Sequence, residues 1–178
     1  MRLRFAACAA VALAGLLAAH GVRGQAVGEG ALKAAYVYNF LQLVEWPAHV
    51  LGAADAPLVV CTLGREPRDG FEALAGKRAQ GRRIELRAVS GASLPRCHAL
   101  YVPLEEAARL AQTSPQLAEA AVLVIVDGDR GAVAGAAITL VPRDKRIGFH
   151  IDLAATRKAG LRISSRLLGL ALSVHGAP

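Results

Sequence analysis

The chain has 178 residues, 54% of them hydrophobic, and a net charge of +7 from 21 basic and 14 acidic side chains. Beyond residue 24 no stretch reaches membrane-spanning length without a charge or a proline, which leaves about 150 residues for one soluble domain with a real core. Export, to which the start of the chain points, removes nucleic acid as a partner for most purposes, so the basic excess reads as a solvated face.

Arg2 and Arg4 form a basic start, and Phe5 to Ala19 is an uncharged apolar run, the length of a signal-peptide core and short for a membrane span. His20-Gly21-Val22-Arg23-Gly24 turns polar, with Val22 and Gly24 placed for cleavage before Gln25; a cut after Ala26 fits almost as well. The expectation is a cleaved leader over residues 1–24, its rival an uncleaved anchor. Cleavage discards Cys8 and removes Arg2, Arg4 and Arg23, lowering the net charge by three. Cys61 and Cys97 remain. In an oxidising compartment such a pair reads as a structural bridge. A redox switch or a metal site with His98 are the alternatives, and neither has a Cys-x-x-Cys spacing or further ligands to support it.

Ala31 to Trp46 is an amphipathic helix: Leu32, Tyr36, Phe40 and Leu43 recur at helical spacing, Val37, Leu41 and Val44 widen the stripe, and Pro47 ends it. Leu58–Leu63 is a continuous apolar run, hence a buried strand. Asp69 to Gly76 is a short helix with a polar start and a glycine stop. After a tight turn at Gln80-Gly81, Ile84, Leu86 and Ala88 alternate with Arg83, Glu85 and Arg87, the pattern of a strand with one wet face. Lys77, Arg78, Arg82, Arg83 and Arg87 are then either that solvated face or a surface for an acidic partner.

Ala99–Val102 is a strand, followed by helices over Leu104–Ala111 and Pro115–Ala120. Ala121–Val126 is the most strand-like segment of all. Ile138–Val141 and Ile147–Ile151 flank Pro142-Arg143-Asp144-Lys145 as an antiparallel hairpin. Asp152 caps a helix over Leu153–Ala159, and Ser164 caps a final helix with Leu167, Leu168, Ala171, Leu172 and Val174 on its apolar face. The whole reads as α/β: one domain over 25–178, a mixed sheet with a parallel centre and a C-terminal hairpin, and helices on both faces.

Chemistry is scarce. Gly64-Arg65-Glu66-Pro67 is neither a dinucleotide fingerprint nor a phosphate loop, and no Gly-x-Ser-x-Gly elbow exists. Asp127 and Asp129 around Gly128 read as a turn, too few for a calcium loop. His49, His98, His150 and His175 share no ligand spacing. No catalytic residue, metal site or cofactor is expected. Two features exceed background. Most of the scarce aromatics fall within Tyr36 to Trp46, and one sheet cannot bury both faces of a helix, so Tyr38 or Trp46 reaches another surface. Arg162, Ser164, Ser165 and Arg166 at a helix start are either an anion site or a capped helix whose arginines pair with nearby acids.

Lys33-Ala34-Ala35-Tyr36-Val37-Tyr38-Asn39-Phe40, Val44-Glu45-Trp46-Pro47, Val60-Cys61-Thr62-Leu63-Gly64, Leu74-Ala75-Gly76-Lys77 with Gly81-Arg82, Cys97-His98, and Ala159 to Leu168 together resemble the YfiR family, in order and over nearly all of the mature chain. The resemblance implies a periplasmic α/β domain that dimerises and has no catalytic residues. Its function would be to inhibit an inner-membrane diguanylate cyclase through that enzyme's periplasmic region, lowering cyclic-di-GMP and restraining biofilm formation, with an outer-membrane lipoprotein relieving the inhibition. It also implies that Cys61 and Cys97 are the family's structural disulfide. The two segments above background supply the candidate partner- or ligand-binding residues, Tyr38, Glu45, Trp46, Arg162, Ser164, Ser165 and Arg166. The family's second cysteine pair has no counterpart between Pro142 and Ile151. A small-ligand sensor working with another membrane protein is the alternative function.

Overall fold

Six consecutive residues, Leu58–Leu63, all apolar but Thr62, are buried on both faces, and the sheet is assembled around them. The structure, a computed structural model, describes residues 28–64, 70–90, 96–108, 110, 117, 120–143 and 146–176. The expected leader, the turn at Arg65–Pro67, the start of the helix at Asp69, most of the helical stretch between Arg109 and Glu119 and the hairpin tip Asp144-Lys145 lie outside the described residues.

In chain order the elements are α1 (Glu29–Leu43), β1 (Val44–Glu45), α2 (Ala48–Leu51), β2 (Leu58–Leu63), a 3-10 turn (Phe71–Leu74), β3 (Arg78–Ala79), β4 (Arg82–Val89), β5 (Ala99–Val102), a second 3-10 turn (Leu104–Glu106), β6 (Leu123–Asp127), β7 (Ile138–Arg143), β8 (Arg146–Asp152), α3 (Leu153–Lys158), β9 (Arg162–Ile163), α4 (Ser165–Leu168) and β10 (Ser173–His175). Eight strands form one mixed sheet in the order β10-β8-β7-β6-β5-β2-β4-β3. Its five central strands, β7-β6-β5-β2-β4, are parallel. The antiparallel β8 and β3 flank them, and β10 runs parallel to β8. β1 and β9 make a separate two-stranded ribbon.

α1 covers one face of the sheet, burying Ala34, Val37, Phe40 and Leu41. Phe40 meets Phe149 of β8 edge-on at 5.0 Å, and the Tyr36 hydroxyl donates to the Ile147 carbonyl at 2.6 Å. The opposite face packs Val59, Cys61, Leu100 and Val124 beneath Leu110 and Leu117. This is the predicted α/β sheet with a parallel centre and a C-terminal hairpin. No helix among the described residues is long and apolar enough to cross a membrane.

Three local expectations are corrected. α1 stops at Leu43 rather than Trp46, because Val44 turns extended and pairs with Ile163. The final helix ends at Leu168. Instead of continuing, the Leu172 amide donates to the Phe149 carbonyl at 2.8 Å and Ser173–His175 joins the sheet edge. Gly148 makes this possible: a Cβ there would stand 2.5 Å from the Leu172 side chain. The basic cluster, finally, is not simply a wet face. One Arg82 nitrogen, Nη1, donates to the carbonyls of Leu51, Ala53 and Ala56 and clasps the loop after α2. Arg78 donates to Gly81, and Arg87 pairs with Glu85.

The Gln80-Gly81 turn is present, with φ of 50° and 77°. A left-handed glutamine is uncommon, and its side chain explains it. Gln80 Nε2 donates to the carbonyls of Leu41 and Val44 at 2.7 and 2.6 Å, satisfying acceptors that the end of α1 leaves open.

Candidate functional site

The β1–β9 ribbon brings together residues more than a hundred positions apart. Glu45 lies directly opposite Arg162 in its register, so the side chains meet on one face. Arg162 Nε and Nη2 both donate to Glu45 Oε2, at 3.0 and 2.5 Å. The side chains are 83% and 58% exposed, so the pair adds little stability. The Ser164 amide closes the ribbon on the Leu43 carbonyl at 3.0 Å, and its hydroxyl accepts from the Leu167 amide at 3.3 Å as the cap of α4. Ser165 and Arg166 are exposed in the turn that follows.

Glu45, Arg162, Ser164, Ser165 and Arg166 therefore form one polar strip. As a dedicated anion site it is weak: Arg162 is held by Glu45, the Ser164 hydroxyl by its cap, and α4 is only one turn long.

Two further candidates do not join the strip. Trp46 is buried at 6% exposure, and its Nε1 donates to the His98 carbonyl at 3.0 Å. That corrects the expectation of a surface aromatic: Trp46 follows Glu45 in an extended segment, where successive side chains face opposite ways. Tyr38 is half-buried. Its hydroxyl donates to the Arg78 carbonyl at 3.0 Å, and the Lys77 ammonium lies 5.3 Å from its ring centre. The β3–β4 hairpin, not a second sheet face, covers this side of α1.

His98 ties the corner together. Its Nδ1 accepts from the Val59 amide at 2.9 Å, which leaves Nε2 to donate to the Val50 carbonyl at 3.3 Å. Burial, reinforced by Arg82 and Arg87, holds the imidazole below the usual histidine range and outweighs the opposing bond to Val50. The ring is thus neutral and structural near pH 7. Beside it Cys61 and Cys97 form a disulfide with 5.8 Å between Cα atoms, joining β2 to the entry of β5. Both thiols are consumed and both ring nitrogens are bonded, so a metal site at Cys-His has no donors left.

Sequence reasoning missed a second constellation. Lys33, on the first turns of α1, places its ammonium 2.5 Å from Asp127 at the end of β6 and 2.5 Å from Glu29. The Tyr101 hydroxyl donates to the same Asp127 oxygen at 3.1 Å. Burial works against the Lys33 charge, but bonds to Asp127 and Glu29 outweigh it and hold the group above the usual lysine range. Asp127 reads as a turn residue because its partner lies 94 positions away.

A parallel-centred sheet, a buried disulfide between neighbouring strands and an exposed polar ribbon define a small, stapled α/β domain. Residues 30–172 match the family described as YfiR/HmsC-like, and the chain belongs to that family. No curated protein matches it.

Proposed function

We propose that this chain is a periplasmic regulatory protein that restrains an inner-membrane diguanylate cyclase by contacting its periplasmic region. The observation that carries the reading is the family match, which extends from α1 to the segment entering β10 and so spans the folded domain. The disulfide suits an oxidising compartment, and the leader-like start of the chain supplies a route to it.

Glu45 and Arg162 on the ribbon, with Ser165 and Arg166 on the turn of α4 that follows it, are exposed and offer the contact surface, and the core holds the ribbon through Trp46. Inhibition by contact needs only differential binding. Moving a cyclase from almost fully active to almost fully inactive takes a preference of about 5.5 kcal/mol for the inactive form. Dimerisation and relief by an outer-membrane lipoprotein complete the proposal.

The test is genetic and biochemical. Deleting the gene should raise cyclic-di-GMP and surface adhesion, and restoring the chain should reverse both. Unchanged cyclic-di-GMP in the deletion strain would overturn the reading.

A further inference from the structure

Beyond the carboxyl ends of β6 and β7, under the first turns of α1, lies a cavity of about 400 Å³. That volume falls within the roughly 300–1,000 Å³ of small-molecule sites. Crevices outside the carboxyl ends of strands are where α/β sheets hold ligands. Leu32, Leu140 and Ile147 line its apolar part, and Leu104, half exposed at 50%, stands where the chain leaves β5.

The charged lining is unbalanced. Glu29, Asp127 and Asp129 face it against Lys33 and Arg146, an acid excess in a chain of net charge +7. Lys33 is already committed to two carboxylates, so it has little to offer an incoming anion. Asp127 is different. One oxygen takes both the Lys33 ammonium and the Tyr101 hydroxyl, while the other makes no hydrogen bond among the described residues. A carboxylate only 11% exposed, with an acceptor to spare at the wall of a partly apolar cavity, suits a charged N–H donor.

We infer that this cavity binds an organic ammonium compound: a primary amine with a short aliphatic or aromatic body, its head on Asp127 and its body against Leu32, Leu104 and Leu140. The site is separate from the Glu45–Arg162 strip and independent of the regulatory reading. A chain that binds no amine can still restrain a cyclase, and the reverse also holds.

Calorimetry on the protein expressed from the full chain tests it with three six-carbon probes: hexylammonium, hexanoate and hexanol. Hexylammonium should bind one to one, at least about tenfold tighter than either of the others, the scale of a charged hydrogen bond. Asp127→Asn should weaken it by about tenfold or more, and Arg146→Ala, which removes a like charge, should tighten it roughly twofold. Leu104→Lys alters an exposed residue and decides the matter if Asp127→Asn fails to fold: it should abolish hexylammonium binding. Hexanoate binding as well as hexylammonium, no binding of hexylammonium at all, or binding indifferent to these substitutions would each overturn the assignment.

Discussion

Two ion pairs in this molecule close at the same 2.5 Å and have opposite consequences. Arg162 and Glu45 meet on an exposed ribbon, 83% and 58% accessible, where water screens them. Lys33 and Asp127 meet at the wall of the cavity under α1, 16% and 11% accessible, with Glu29 and Tyr101 completing the cluster. Distance alone says nothing about what a pair contributes; the medium decides. The exposed pair is available to an outside partner because it can be given up at little cost. The buried pair cannot be given up without leaving a charge in a poorly solvated place, so it fixes where α1 begins to pack.

Breaking the buried pair should have the largest effect. Asp127→Leu leaves Lys33 with the more exposed Glu29 alone and should destabilise the fold by about 3–5 kcal/mol in urea unfolding. Adding Lys33→Met should restore much of that loss, since removing both charges is far cheaper than removing one. A double variant no better than the single one would contradict this account.

Next comes the disulfide, which shares no residue with either pair and serves as a reference. Replacing Cys61 and Cys97 with alanine should cost about 4 kcal/mol on the chain-entropy model. Thiol titration of the unreduced protein should find neither cysteine free.

The histidines extend the comparison to pH. His98 has its folded-state value lowered, chiefly by burial, and so does His150, by burial and then by His175 and Arg143. A lowered value means that the unfolded chain takes up protons first. Their contribution to stability is therefore full above the ordinary histidine value of about 6.5 and is lost as pH falls below it. The unfolding midpoint should drop between pH 7 and pH 5, and His98→Gln should flatten that slope while leaving the share of His150.

The smallest effect belongs to the exposed pair. Arg162→Ala should change stability by less than about 1 kcal/mol and become neutral at high salt. If Arg162→Ala nonetheless raises cyclic-di-GMP in cells, the strip acts as a contact surface and not as a staple.

What was legible in the sequence follows from how far each signal reaches. The buried run at Leu58–Leu63, the hairpin of β7 and β8 and the cap of α3 declare themselves within a few residues. Asp152 accepts from the Ala154 and Ala155 amides as its position before Leu153 implies. The aromatic stripe of α1 was also local, and it placed Phe40 correctly in the core. What escaped was pairing at a distance. Val44 leaves the helix because Ile163 awaits it, Trp46 turns inward to the His98 carbonyl, and Leu172 abandons helical geometry because Gly148 leaves room for it. Lys33 and Asp127 each look ordinary alone; only the packed helix makes them a pair. For the exposed strip, local reasoning recognised Arg162 and Ser164 as a helix start, and only the β1–β9 register showed Glu45 as the partner of Arg162.

The fastenings of α1 also bear on the order in which the chain can fold. Its ends and middle are held at Gln80, Asp127 and Ile147, all far downstream. The first helix among the described residues thus waits for partners as far downstream as Ile147. Until most of the polypeptide has emerged, its apolar stripe has no sheet to lie on. Contacts so distant in sequence slow the closing step of folding. On the proposed export, that delay is an advantage, because a helix that cannot yet dock leaves the chain unfolded enough to be threaded.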